Sequence, residues 1–180
     1  MNEHSEQLAQ VFAAKSKERA DAIRSRIREL AQQRATLTEG TERADAILRA
    51  NRHILEGAGG WSTDGAVDVG AGIIQVTLHA RASLSDTERL QFSGETWGAA
   101  FGGGLFYGTF DFSVPKEQVV GSCSWQMTAS AVVGGGIEVT WWRPDFAFLG
   151  FFVGAGAGVV LGSVGGDGGS WQIAPTSKGA

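Results

Sequence analysis

The sequence predicts a mainly β protein in which an N-terminal α-helical hairpin precedes a compact, closed, eight-stranded antiparallel β-barrel rich in glycine. Three observations lead there. Composition switches near Gly57: 25 of the 27 glycines, all six tryptophans and nine of the ten phenylalanines lie beyond it, whereas ten of the 15 basic residues lie before it. From Gly65 onward, short runs rich in Val, Ile, Thr, Phe and Trp recur between Gly, Ser, Asp or Pro, as strands alternate with turns. In the last of these runs Gly150, Gly154, Gly156, Gly158, Gly162 and Gly166 share one parity, while Leu149, Phe151, Val153, Val159 and Leu161 hold the other. The domains predicted are therefore residues 1–57, a helical hairpin or coiled-coil segment, and residues 58–180, the barrel.

In the first part Ala20, Ile23, Ile27, Leu30, Arg34 and Leu37 step by three and four, which predicts a helix over 16–37 with an apolar seam. Gly40 is placed to end it in a left-handed conformation, and Thr41 to cap a second helix running through Ala44, Ile47, Leu48, Asn51, Ile54 and Leu55. A seam of about three heptads is marginal alone and must bury its face. Ile23, Ile27, Leu30 and Leu37 are therefore candidates for self-association, or for docking on the barrel. No uninterrupted apolar stretch follows a basic start, so a secretory signal is not expected, and the chain is expected in the cytoplasm or exported by a signal-independent route.

Candidate strands follow in order: 66–69, 72–82, 90–92 with its neighbours, 105–114, 122–133, 137–142, 147–153, 158–164 and 170–173. Turns are legible at Ser85-Asp86, Pro115-Lys116, Gly134-Gly135-Gly136 and Arg143-Pro144-Asp145. Eight or nine strands suits a barrel or a sandwich. Glycine weakens a strand and is retained where a sheet bends sharply or a ring comes close, so Gly103, Gly135, Gly154 and Gly158 are read as structural, with Trp and Phe from neighbouring strands lying over them. A competing reading exists. Residues 146–166 carry no charge and repeat GxxxG, which a membrane-spanning helix would use, giving a membrane-active protein that inserts this segment.

The search for chemistry excludes more than it finds. A net charge of −4 leaves no basic footprint for nucleic acid. One cysteine and three scattered histidines give neither a disulfide nor ligand spacing, so no metal and no cofactor are expected. His79 falls at an outward polar strand position, and Cys123 reads as a buried, inert thiol. Asp68, Glu95, Asp111, Glu138 and Asp145 could in principle supply the carboxylate pair of a hydrolase. No catalytic residue is assigned. Trp141 and Trp142 point to opposite faces of one strand, so they join Trp97 and Tyr107 as the candidate binding surface. A protein partner or self-association is expected, with a lipid or membrane surface as the alternative.

Three stretches resemble a known family. The first is Gly102-Gly103-Gly104-Leu105-Phe106-Tyr107-Gly108-Thr109; the second is Phe148-Leu149-Gly150 leading to Gly154-Ala155-Gly156; the third is Gly165-Gly166-Asp167-Gly168-Gly169-Ser170-Trp171. Over roughly residues 65–173 the chain resembles the Vap family, the virulence-associated proteins of actinobacterial pathogens. That resemblance implies a compact eight-stranded antiparallel barrel without enzymatic activity or an open ligand cavity, and a role in host interaction at phagosomal or lysosomal membranes. The first third departs from the pattern, because two charged helices precede the barrel where family members resemble secreted proteins with a signal and a flexible lead.

Overall fold

The structure, a computed structural model, describes residues 14, 18, 21–36, 39–56, 60–98, 100–129 and 136–176. Residues 21–33 are helical (α1) and tighten into a 3-10 turn at Arg34–Thr36. Two further helices follow, α2 (Thr41–Ala50) and α3 (Arg52–Leu55). The strands are β1 (Trp61–Ala71), β2 (Gln75–Ser83), β3 (Glu88–Trp97), β4 (Phe101–Phe112), β5 (Gly121–Ala129), β6 (Gly136–Trp142) and β7 (Phe148–Pro175), with a one-turn helix α4 (Lys116–Val119) before β5.

The barrel closes because β7 serves twice. Residues 150–161 pair with β4, and 148–155 with β6 on the other side. Residues 162–171 then pair with β5, and 168–175 with β3. With β1 joined to β2 and β4, and β2 to β3, the ring is complete, and the two halves of β7 raise seven strands to eight antiparallel staves. Closure leaves no unpaired sheet edge. The three last candidate strands of the sequence are thus one continuous strand. Its course turns where Leu161 faces Phe101 and Gly162 faces Ala129. There Gly162 has φ 126°, and Gly102 beside it has φ 103°, a region that side-chain-bearing residues rarely adopt. The spanning-helix reading of residues 146–166 fails for the same reason: from Phe148 onward this backbone is spent on sheet pairing. Among the described residues no helix is long and apolar enough to cross a membrane.

The glycine-bare side of β7 is the inner one. Phe152, Val160 and Val164 project inward among the buried core, and Gly154, Gly156 and Gly158 share their parity. A Cβ on Gly158 would lie 2.6 Å from Gly103 O, one on Gly154 2.8 Å from Tyr107 O, and one on Gly103 2.9 Å from Val69 O. These three glycines therefore let strands and rings approach. Gly135 lies outside the described residues. The space is filled by Phe92, Phe106, Phe110, Phe112, Trp125, Trp141, Phe152 and Trp171, each 2% exposed or less. Phe110 meets Phe152 at 4.6 Å between ring centres, and Trp141 meets Trp171 at 5.1 Å in an edge-on arrangement. Among the described residues the indole N–H groups of Trp125, Trp141 and Trp171 have no hydrogen-bond acceptor. Ring-on-ring packing is what holds them.

The helices dock on the outside of the barrel. Ile27 and Ile54 form a second apolar cluster with Phe148, Phe151 and Val153, flanked by Ile23, Leu48 and Trp142. Polar ties fix the seating: Arg24 donates to Asp111 Oδ1 at 2.8 Å and to Ser113 Oγ at 3.0 Å. Asn51 is fully buried; its Nδ2 donates to Phe146 O and Ile47 O, and its Oδ1 accepts from the Phe148 N–H at 2.8 Å. The two helical layers are pinned to each other by Arg34, whose guanidinium grips both oxygens of Asp45 and holds that carboxyl below its usual range. Two local expectations need correction. Thr41 does not cap α2; Gly40 occupies that position with φ 68°, and Thr41 is the first helical residue. The second helix is also interrupted at Asn51, whose side chain is turned to the barrel.

Candidate functional site

With the barrel interior packed with rings, the question is what the outside presents. Strand parity decides it. Along β4 the core claims Phe106, Phe110 and Phe112, so Phe101, Leu105 and Tyr107 must point out. Across the β4–β7 ladder Gly103 faces Val159, which places Val159 on the same outer wall between Phe101 and Leu105. The end of the barrel continues this surface. Trp97 closes β3 opposite Gln75, and the Gly98 N–H bonds to Ile74 O at 3.2 Å, bringing the β1–β2 turn beside the β3–β4 connection.

Ile73 (70% exposed), Ile74 (63%), Trp97 (76%) and Phe101 (53%) thus lie at one end of the barrel, and from Phe101 an apolar strip runs about 20 Å along the outer side of β4 past Val159 (54%) to Tyr107 (65%). Single exposed hydrophobics are ordinary, but an exposed end and strip that carry three aromatics between them are not. Their flank is acidic. Asp68 pairs in register with Leu105, and Glu95, two residues before Trp97, accepts a hydrogen bond from Gln75 Nε2 at 3.4 Å. Residues 58–180 carry five basic and ten acidic side chains.

Of the four residues assigned to a binding surface from sequence, Trp97 and Tyr107 lie on this face. Trp141 is a correction: it is 0% exposed, in the middle of the aromatic core, because the inner side of β6 closes over Phe92 and Phe110. Trp142, on the opposite side, packs tilted on Phe148 at 4.8 Å between ring centres beneath the helices. Ile23 and Ile27 of the helical seam are engaged with the chain's own barrel, Leu30 is half-buried beside them, and Leu37 lies outside the described residues. Ile73, Ile74, Phe101 and Val159 were missed. The signal for the first two was present: adjacent apolar residues next to Gly72 in a tight turn cannot both face a core.

The remaining candidates do not assemble. His79 is exposed on the outer side of β2. Cys123 is 1% exposed, and burial pushes its thiol up to about 12. Asp111 is held by Arg24, while Asp68 and Asp111, on the paired strands β1 and β4, are six register positions apart, about 20 Å along the strand. Glu95 and Glu138 sit on β3 and β6, and Asp145 in the β6–β7 turn. No register position sets any of these five acids against another. Among the described residues no group of His, Cys, Asp or Glu could hold a metal ion.

Comparison with known proteins places this geometry. Residues 2–172 match the family model described as Rhodococcus equi virulence-associated protein. The match takes in the helical third as well as the barrel, a wider span than the sequence resemblance over 65–173. Two solved structures share the barrel: the virulence-associated protein VapB from the intracellular pathogen Rhodococcus equi, with 25% identity and a TM-score of 0.51, and VapD from the same organism, with 22% identity and a TM-score of 0.55. Each covers 63% of this chain and 98% of its own. No curated protein matches the chain. The chain therefore belongs to the Rhodococcus equi virulence-associated protein family.

Proposed function

We propose that the protein is a non-enzymatic effector module that binds a protein partner through the apolar face formed by Ile73, Ile74, Trp97, Phe101, Tyr107 and Val159. The observation that carries this reading is the sorting of aromatic residues. Eight rings fill the barrel, yet Trp97 and Phe101 stand outside it at one end and Tyr107 further along β4, where they contribute nothing to the core. Large aromatic side chains surrounded by polar residues are the usual anchors of protein interfaces. The acidic flank favours a partner with basic residues around an apolar centre, and disfavours an anionic bilayer, whose charge it would repel. A filled interior and scattered acids support a binding role over hydrolysis. Residues 1–57 and 58–180 are read as an arm and a barrel that work as one unit, with the arm seated further along the same β4–β7 wall, over Phe151, Val153 and Asp111.

The test is site-directed photocrosslinking of the full-length chain in extracts and infected cells, with the photoreactive residue at position 107. A discrete protein adduct that disappears in Trp97→Ala/Phe101→Ala, and does not form from the outward position 81 on β2, supports the reading. Equal adducts from positions 107 and 81, or none from 107, overturn it.

A further inference from the structure

The helices do not lie flush on the barrel. Between α1, α2 and the β6–β7 turn is an open pocket of about 560 Å³, lined by Ile23, Ile27 and Leu30 of α1, Ile47 of α2, and Trp142 and Phe146 of the barrel. That volume is within the range of small-molecule sites. The lining is almost wholly apolar. Its buried amide, Asn51, has its donors on Ile47 O and Phe146 O and its oxygen on the Phe148 N–H, so it makes no demand on an occupant. Arg26 also lines the pocket; its guanidinium is largely in solvent and contacts only Glu29 among the described residues, at 3.3 Å. An exposed pair of this kind is weak and readily exchanged for another anion.

Phe146 supplies an independent observation. It has φ 69°, the left-handed region, and is the one non-glycine residue with positive φ among the described residues. The turn holds it there through the Phe146 N–H to Arg143 O and the Asn51 amide on Phe146 O, both 2.9 Å. A bulky residue in this conformation is strained, and glycine would be easier. Packing does not explain the choice, because the residue is 54% exposed. A ligand covering the ring does. Strained residues of this sort cluster at ligand clamps.

We propose that this pocket binds a long-chain carboxylate, its apolar tail between the helices and Trp142–Phe146 and its headgroup at Arg26. The concave shape and the one cation among the described lining residues fit one amphiphile rather than a bilayer or a second helix. The site is separate from the outer apolar face and does not depend on it.

The test is calorimetric titration of the full-length chain with dodecanoate and, in parallel, with dodecanol. Dodecanoate is expected to saturate at one equivalent. Arg26→Glu should weaken dodecanoate by about tenfold or more and leave dodecanol unchanged. Ala22→Phe, which fills the pocket from an exposed helical position, should weaken both by at least about tenfold. Phe146→Gly should weaken both while keeping or raising the melting temperature, which a merely structural role would not do. Trp97→Ala should bind as the parent does, so failure here is distinguishable from failure of the outer face. Absence of saturable binding, as expected if another part of the chain fills the pocket, overturns the proposal. So does parental affinity in both Ala22→Phe and Phe146→Gly.

Discussion

Asn51→Ala is the sharpest probe of how the helical arm is fixed to the barrel. The side chain is fully buried and satisfies three backbone groups, on α2, in the β6–β7 turn and at the start of β7. Their fates differ on removal. Ile47 O keeps a partner, the Asn51 backbone N–H at 3.0 Å, and Phe146 O lies in an exposed turn that water can reach. The Phe148 N–H is buried at the start of β7 and loses its acceptor. An orphaned buried donor costs about 1–3 kcal/mol, and the small void left by truncation adds about 1 kcal/mol. Roughly 2–4 kcal/mol is expected, a large part of the about 5–15 kcal/mol that holds a typical domain folded. Urea unfolding followed by far-ultraviolet dichroism for the helices and tryptophan fluorescence for the core measures it. A loss below about 0.5 kcal/mol, the level of an ordinary surface substitution, would refute the reasoning.

Further consequences follow from the packing. A Cβ on Gly94 would lie 2.6 Å from Trp125 Nε1 and 2.7 Å from Phe92 Cζ, so Gly94→Val should cost about 1–3 kcal/mol by overpacking. Gly168→Val, with only Glu95 O near at 3.9 Å, should stay within about 0.5 kcal/mol of the parent; equal costs would contradict the inward placement of Gly94. Burial keeps the Cys123 thiol protonated, so a thiol reagent at mildly alkaline pH should label it no faster than the protein unfolds, and prompt labelling of the native chain would be the opposite result. Half-burial lowers the His53 pKa, with Arg143 and Arg24 adding to the effect, while its Nε2 bonds Phe148 O at 3.2 Å. The folded state thus favours the neutral ring. Its contribution is intact above the unfolded pKa of about 6.5 and is lost as pH falls below it, so His53→Gln should reduce the loss of stability between pH 7 and pH 5.

Much of this fold is legible in the chain because two periodicities are clean. The three-four spacing from Ile23 to Leu30 marks α1, and the alternation of Val76, Leu78, Ala80 and Ala82 with Gln75, Thr77, His79 and Arg81 marks β2. Other features depend on tertiary context. Gly154 and Gly156 fall in the predicted break between strands 147–153 and 158–164, yet pairing to β4, and at Gly154 also to β6, carries one strand through them. Parity puts Trp141 and Trp142 on opposite faces but does not say which is inside; that is settled only when the helices cover Trp142. Trp97 was named from sequence as a candidate binding residue, but its place at the end of a strand appears only with β3, which runs on past the predicted 90–92. Phe101 and Val159 join it only through the register of β4 against β7, and no local pattern encodes that.

The central claim is that the glycine-bare side of the wall faces inward on packed rings, leaving Trp97 outside on the proposed binding surface. Fluorine NMR of the protein labelled with fluorotryptophan reads all six indoles at once, through the shift of each resonance between light and heavy water. The account predicts no solvent shift for Trp125, Trp141 and Trp171, a full one for Trp97, and intermediate values for Trp61 and Trp142. A solvent-sensitive Trp141 or Trp171 beside a shielded Trp97 would mean the wall is turned the other way, and would contradict it.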